Sequence, residues 1–229
     1  MTDVIKIVHI PRFRSTRPVW MYYELKELYG SKLPELEITT FTDISSFRLN
    51  KPQWLLDMNP NGKVPTMSHG EIVMFEGRAI CSYLLDLYDK DRILLSKDPK
   101  IMSMYYLIVS WCASTLDNLI ATSSPINIIL DPTVASTSRP MDNVIINQTY
   151  FNTIFIPYFL KEYKKNDGPY LCGREFTAVD VIIGYFLLLA KEKMTPTWIE
   201  ETDEIYSEIV VYIELLKTRP AMQKAITVA

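Results

Sequence analysis

Apolar and polar positions along the first 90 residues fall into short runs that switch between the period of a strand and the period of a helix. β-branched side chains dominate residues 4–10, which predicts a half-buried strand that ends at Pro11. Pro18 stands where a first-turn proline is tolerated and Gly30 where a helix stops, so a helix is predicted between them. The pattern predicts, in order, a strand, a helix, a strand, a short helix, a two-stranded hairpin and a helix at residues 4–10, 17–29, 35–42, 52–58, 64–67 with 71–74, and 75–88. This order indicates a small α/β layer.

The strand pattern stops at a charged stretch, residues 89–92, and the rest of the chain follows the period of helices. Helices are predicted at residues 98–119, 141–165, 177–192 and 202–217. The first two are separated by a loop at residues 123–140 that contains three prolines, and loops of this length are often functional. The sequence therefore predicts an α/β domain, a linker and an all-helical domain at residues 1–89, 90–97 and 98–229.

The composition is that of a folded globular protein, with 48% apolar and 22% charged residues among 229. The 24 basic and 27 acidic side chains give a net charge of −3, so nucleic acid is not an expected partner. The seven glycines form neither a dinucleotide motif nor a P-loop, and the two histidines lack metal-ligand spacing, so neither nucleotide nor metal is expected. Three widely spaced cysteines indicate reduced thiols and a cytoplasmic protein. No signal peptide is recognised at the N-terminus. The longest apolar run, residues 181–190, is about half the length of a bilayer-spanning helix, so no membrane span is expected.

One stretch with chemical content leads into the predicted hairpin and reads Asn-Pro-Asn-Gly-Lys-Val-Pro at residues 59–65. Because proline cannot donate to a strand ladder, Pro65 is expected at the start of a strand or in a cis turn. A cis bond between Val64 and Pro65 would turn the Val64 N–H and C=O outward, toward an extended peptide ligand. The alternative is a loop proline without a ligand.

Residues 59–80 resemble the glutathione-binding segment of cytosolic glutathione S-transferases, which reads NPxGKVP, then a hairpin, then ESxAI before a helix. Residues 169–180 resemble the YLxGxxxTxAD segment of that family, in which Thr177 and Asp180 also form a helix-capping pair. Residues 17–20 and the Arg-Pro-Ala at 219–221 resemble the starts of its first and last helices. The chain is thus identified as a member of this family, of a phi/theta-like or bacterial type. The resemblance implies a thioredoxin-like N-terminal domain, an all-helical C-terminal domain, a homodimer and a role in detoxification.

The resemblance also implies how glutathione would bind. Lys63 would hold the glycine carboxylate, with Asn50 or Lys51 as a further contact at that end. Val64, next to Pro65, would pair with the cysteinyl backbone. Glu76 would accept the γ-glutamyl ammonium group, and Gly77 would help with the carboxylate at that end.

Two positions depart from the family pattern. Gly77 stands where many relatives have a serine, which removes one hydroxyl donor. Phe13 stands where relatives place the serine that stabilises the glutathione thiolate, and phenylalanine cannot donate a hydrogen bond. The remaining candidates for that role are Ser15, Thr16 and Arg14 in the same loop, although a serine or threonine before a helix usually caps it.

The pocket for the second substrate is expected to involve four aromatic residues, Phe13, Tyr105, Tyr106 and Trp111, although aromatic stripes on helices are more often core. His9 is expected to be structural, and Cys81 and Cys112 are expected to pack as small apolar side chains. The expected function is conjugation of the glutathione thiolate to a small apolar electrophile. The alternative is a non-catalytic binding or structural protein of the same fold, favoured by the two departures. Reductase chemistry is disfavoured, because the loop after the first strand contains no cysteine.

Overall fold

The computed structural model describes residues 4–123 and 140–228, and it divides into two compact units. One unit consists of Met1–Leu94 and Lys217–Ala229, and the other of Leu95–Leu216. All but the ends of the loop predicted at residues 123–140 lies outside the described residues.

The first unit is built on a four-stranded sheet with strand order β2-β1-β3-β4. The strands β1, β2, β3 and β4 are Ile5–His9, Leu36–Thr40, Thr66–His69 and Ile72–Phe75. Strand β1 is parallel to β2 and antiparallel to β3, which in turn is antiparallel to β4. Helix α1, Thr16–Tyr29, forms the crossover that a parallel pair requires. The predicted α/β layer is therefore confirmed, and it places the ends of β1 and β2 beside each other.

Three more helices complete the N-terminal part of this unit: α2, α3 and α4 at Ile44–Leu49, Gln53–Met58 and Gly77–Tyr88. The sequence predicted α3 and α4 but not α2. The side chain of Asp43 caps α2 by accepting from the N–H of Ser46 at 2.9 Å. The segment was missed because its six residues, three of them polar, are too few to show a helical period.

The second unit is helical, as predicted. Its helices α5 to α10 are Pro99–Trp111, Asp117–Ser123, Pro140–Tyr150, Ile156–Lys164, Ala178–Glu192 and Ser207–Lys217. A π-helical turn at Cys112–Leu116 joins α5 to α6, and a second at Phe151–Phe155 joins α7 to α8. Helix α9 is the core of the unit, since every side chain from Ala178 to Ala190 is buried. A helix that is apolar all round is expected to lie in the core.

The last helix, α11 at Pro220–Thr227, belongs to the first unit and not to the helical domain predicted at 98–229. It packs along α1. Arg219, just before it, donates to both carboxylate oxygens of Glu24 in α1, at 2.7 Å and 2.6 Å. This pairing across 195 positions of sequence explains the difference, because hydrophobic periodicity carries no information about which unit a terminal helix joins.

Within the described parts of the chain, no helix has both the length and the hydropathy that crossing a membrane requires.

Candidate functional site

Three segments of the first unit meet at Gly77, the first residue of α4. An ideal Cβ atom on Gly77 would lie 3.3 Å from Pro65 Cγ, 3.6 Å from the carbonyl oxygen of Arg14 and 3.7 Å from Pro18 Cδ. The loop after β1, the loop before β3 and the N-terminus of α4 are therefore in contact. The same distances explain the departure at Gly77, because a larger residue would press on Pro65.

Asn59 organises the loop before β3. Its buried amide donates to the Lys63 carbonyl oxygen at 3.0 Å and to Thr66 Oγ1 at 2.9 Å, and its Oδ1 accepts from the N–H of Asn61 at 3.0 Å. The Thr66 hydroxyl donates to the same Lys63 carbonyl at 2.8 Å. These bonds hold the backbone on both sides of residues 64 and 65. Asn59 had no predicted role, although Asn followed by Pro-Asn-Gly is a signal for a side chain that hydrogen-bonds the backbone of its own turn.

The bond between Val64 and Pro65 is cis, as predicted. Pro65 is buried, whereas Val64 is half-buried. Val64 packs against an apolar cluster beneath the loop. The cluster consists of Val8, Ile10, Phe47 and Leu55, with Phe13, Phe41 and Ile44 also packed against it. Phe13 therefore packs its loop against the same cluster as Val64. This packing role is separate from the one predicted for Phe13, as a residue that lines the pocket.

Two lysines border Gly62 in this loop, Lys51 by its side chain and Lys63 in sequence. The side chain of Lys51 passes directly over Gly62, since an ideal Cβ there would lie 2.6 Å from Lys51 Cδ. Gly62 also has a positive φ of 54°, so glycine is favoured twice at this position. Lys63 is the next residue and is exposed. The structure therefore places the Lys51 side chain against the residue that precedes Lys63. Asn50, exposed at the C-terminus of α2, immediately precedes Lys51.

Glu76 precedes α4 in a conformation that is unusual for a residue with a side chain. Its φ is +73°, and its carboxylate is exposed, 3.8 Å from Nη2 of Arg78. Left-handed non-glycine residues are costly and concentrate at functional sites. The backbone conformation and the adjacent guanidinium both orient this carboxylate beside the positive end of the α4 dipole.

Ser15 does not occupy a position from which it could donate to a thiolate. Its hydroxyl is fully buried and lies 2.9 Å from His9 Nδ1, 3.0 Å from the N–H of Ile10 and 3.1 Å from the carbonyl oxygen of Ile10. A hydroxyl group has one proton and two lone pairs, so these three partners use its whole capacity. The alternative, a helix cap, is not found either, because the Ser15 side chain makes no capping bond.

The other two candidates of this loop differ in accessibility. Thr16 lies in the first turn of α1 and is fully buried, and its Oγ1 has no hydrogen-bond partner among the described residues. Arg14 is exposed, and its carbonyl oxygen is one of the three neighbours of Gly77. Of the residues proposed to act on a thiolate, only Arg14 combines an accessible polar side chain with a position beside the other two segments.

His9, the last residue of β1, is fully buried, and its Nε2 has no hydrogen-bond partner among the residues that are described. Burial lowers the pKa of His9 from 6.5 to about 4, because the charged imidazolium loses its hydration; a hydrogen bond to the backbone of Ser15 opposes this only in part. The imidazole is therefore neutral at pH 7.

This lowered pKa predicts a specific loss of stability in acid. Between pH 6.5 and 4 the unfolded chain binds a proton at His9 that the folded protein does not. The contribution of the neutral His9 to the free energy of unfolding is therefore fully present above pH 6.5 and is lost as the pH falls toward 4. The 2.5-unit difference corresponds to about 3 kcal/mol. Urea denaturation at a series of pH values should show this loss in the parent protein but not in His9→Asn. His69→Gln is the matched control and keeps the loss. An equal loss in His9→Asn would contradict the assignment.

The aromatic residues proposed for the second-substrate pocket have different environments in the helical unit. Tyr105 is buried, which leaves it no surface to offer a ligand, whereas Tyr106 is 55% exposed. Trp111 is half-buried, and its indole N–H donates to the hydroxyl of Tyr150 at 3.2 Å. The structure therefore assigns Tyr105 to the core, while Tyr106 and Trp111 retain accessible surface.

The cysteines show no sign of reactivity. Cys81 and Cys112 are buried, as expected for packing residues. Burial raises the pKa of Cys81 to about 12, and burial together with the negative charge of Asp180 raises the pKa of Cys172 to about 12. Across residues 4–123 and 140–228, no group of three or more His, Cys, Asp or Glu side chains is arranged to hold a metal ion.

The chain is similar to several known proteins. Residues 15–87 match the family described as glutathione S-transferase, N-terminal domain. Glutathione S-transferase F14 of Arabidopsis thaliana is 27% identical over 200 residues, which cover 81% of this chain and 71% of that protein. Glutathione S-transferase-like protein OpS6 of Beauveria bassiana is 26% identical over 201 residues, with 84% and 85% covered. The solved theta class glutathione S-transferase of Xanthomonas axonopodis pv. citri, with glutathione bound, superposes with a TM-score of 0.70 at 21% identity and covers 99% of each chain.

Proposed function

The chain belongs to the glutathione S-transferase family, and we propose that it binds glutathione in the first unit and conjugates its thiolate to a small apolar electrophile. The observation that carries this proposal is the meeting of three segments at Gly77, with Pro65 and Arg14 as its neighbours. The fold, a thioredoxin-like α/β domain with an all-helical domain, is that of the family.

The charges at the site match those of glutathione, a tripeptide with two carboxylates and one ammonium group. Lys63 and Lys51, with Asn50 beside them, would receive the glycine carboxylate. The backbone of Val64, next to Pro65, would pair with the cysteinyl residue. Glu76 would accept the ammonium group, and the N–H of Gly77, at the positive end of α4, would receive the γ-glutamyl carboxylate. This arrangement would place the thiol toward the loop that carries Arg14.

Glutathione needs an ionised thiol to react, and a free thiol with a pKa of about 8.5 is mostly protonated at pH 7. A nearby cation lowers that pKa. Since the Ser15 hydroxyl is fully used and Thr16 is buried, we propose the Arg14 guanidinium as the group that stabilises the thiolate. Binding both reactants side by side would supply the rest of the rate enhancement.

Binding is tested by Glu76→Ala and Lys63→Ala. A charged hydrogen bond contributes about 1.5–3 kcal/mol, so each change should weaken glutathione binding tenfold or more in isothermal titration calorimetry. Glu71→Ala, an exposed glutamate in the hairpin turn, and Lys32→Ala, an exposed lysine in the same unit, are matched controls that should bind glutathione like the parent. If Glu76→Ala binds glutathione as tightly as the parent, the proposed site is wrong.

A second candidate function is a binding or structural protein without transferase activity, and the saturated Ser15 and the apolar Phe13 favour it. The two functions differ in the state of the bound thiol. A transferase should show thiolate absorbance on binding glutathione at pH 7 and should turn over a generic aryl halide, and Arg14→Leu should reduce both while glutathione still binds. Binding without thiolate formation or turnover in the parent would favour the second function.

We also propose that the protein forms a homodimer and acts in the cytoplasm. Support for self-association comes from β4, an edge strand in which Ile72, Val73 and Phe75 are 46%, 45% and 36% exposed. Exposed apolar edge strands favour pairing with another chain. Sedimentation of the protein at micromolar concentration tests this, and a monomer would contradict it.

A further inference from the structure

The hydroxyl of Ser15 closes the loop between β1 and α1. It bonds to both the N–H and the carbonyl oxygen of Ile10, at 3.0 Å and 3.1 Å, and to Nδ1 of His9 at 2.9 Å. The loop of residues 11–14 therefore begins and ends at this hydroxyl, which hydrogen-bonds both the N–H and the carbonyl oxygen of Ile10.

The partners of the Ser15 hydroxyl indicate where the protons lie. The Ile10 N–H must donate to Ser15 Oγ, and the Ile10 carbonyl oxygen can only accept the hydroxyl proton. With the one hydroxyl proton on the Ile10 carbonyl oxygen, the remaining partner, His9 Nδ1, is the donor, which requires the neutral ring to carry its proton on Nδ1. In the opposite tautomer, Nδ1 would take the hydroxyl proton in place of that carbonyl oxygen. His9 is fully buried, and its Nε2 has no hydrogen-bond partner within the described residues. An Nε2 that carries no proton is consistent with this, because a buried N–H there would lack an acceptor.

This network determines the position of Arg14. The loop backbone continues from Phe13, whose N–H donates to the Ile10 carbonyl at 3.2 Å and whose carbonyl accepts from the N–H of Thr16 at 2.8 Å. Arg14 stands between these bonds, with its carbonyl oxygen beside Gly77. A change in the Ser15 anchor would therefore shift the loop relative to the start of α4.

We propose that His9 is a positioning residue: its Nδ1–H holds the Ser15 hydroxyl in the orientation that fixes residues 11–16, and with them Arg14, beside the glutathione site. The inference rests on the proposed function, since it concerns the loop that would face the thiol. His9 itself, being buried, touches neither glutathione nor the electrophile.

Substitution of His9 by asparagine or by glutamine separates a hydrogen-bonding role from mere packing. The amide nitrogen of asparagine can take the place of Nδ1, whereas that of glutamine reaches the place of Nε2. His9→Leu and His9→Gln should lower kcat about 10- to 100-fold, because small misplacements of catalytic groups have effects of that size. The KM for glutathione should change much less, because its contacts lie on other segments. His9→Asn should recover most of the lost kcat, and the thiolate absorbance of bound glutathione should follow the same order.

Three further results decide the proposal. If His9→Leu, His9→Gln and His9→Asn lose stability while keeping the kcat of the parent per folded molecule, His9 is only structural and the proposal is wrong. If His9→Leu does not fold, Ser15→Ala takes its place and should give the same split between kcat and KM. If the parent binds no glutathione, the proposed function fails instead. Nitrogen NMR of histidine-labelled protein then still tests the bond from His9 Nδ1–H to the Ser15 hydroxyl, and a proton on Nε2 of the neutral His9 ring would overturn the proposal.

Discussion

Asp180→Ala should lower the free energy of unfolding by roughly 4 kcal/mol, a large share of the stability of a typical domain. The carboxylate is fully buried in the helical unit. Its Oδ1 accepts from the N–H of Leu171 at 3.0 Å and the hydroxyl of Tyr212 at 2.8 Å, and its Oδ2 accepts from the N–H and the hydroxyl of Thr177 at 2.8 Å and 3.0 Å. Truncation would leave four buried donors without their acceptor, and each such donor costs about 1–3 kcal/mol before the site relaxes.

Asp203→Ala is the matched control in the same unit. Asp203 also caps a helical turn, but it is exposed and accepts a single bond, from the N–H of Ile205 at 3.0 Å. Its loss should cost about 1 kcal/mol. Asp180→Asn, which keeps one acceptor oxygen, should fall between the two. Urea denaturation followed by circular dichroism measures all three, and equal losses for Asp180→Ala and Asp203→Ala would show that the buried network contributes nothing special.

Most elements of the fold follow from local pattern. The strands at Ile5–His9 and Leu36–Thr40 and the helix between them were predicted to within two residues, because alternation and the Pro18 and Gly30 signals are encoded within each segment. The association of α11 with the first unit was not predicted, since it depends on Arg219 meeting Glu24, and neither residue carries a local sign of its partner.

The candidate site divides in the same way. Lys63 and Glu76 were predicted as binding residues from a resemblance in linear sequence, and the cis Val64–Pro65 bond, expected from the position of the proline, is confirmed. The state of Ser15 was not, because it depends on how His9 and Ile10 approach its hydroxyl in three dimensions. Sequence shows that a residue type could perform a function, whereas only the structure shows whether its hydrogen bonds are already used.

Glu24→Gln should lower the free energy of unfolding by about 3 kcal/mol, and the effect should begin at α11. Glu24 is 2% exposed, and its Oε1 accepts from the indole N–H of Trp20 and from Nε of Arg219, both at 2.7 Å. Its Oε2 accepts from Nη2 of Arg219 at 2.6 Å. Glutamine keeps the shape but removes the charge and one acceptor, and so leaves a partly buried guanidinium without its counter-ion. Removing one partner of a fully buried ion pair costs about 3–5 kcal/mol. Because the Arg219 side chain is 24% exposed, we expect a cost at the lower end of that range.

Glu35→Gln provides the control for this change. Glu35 pairs with Lys26 at 2.9 Å, but its side chain is 80% exposed, so its loss should cost at most about 1 kcal/mol. Hydrogen exchange should show faster opening of residues 220–227 in Glu24→Gln and no such change in Glu35→Gln. In Glu24→Gln/Arg219→Met the second change should recover part of the loss, because it removes the partly buried cation that the first change deprives of the Glu24 carboxylate. If the double variant is as unstable as the sum of the two single variants, then the pair is not what holds α11 against α1.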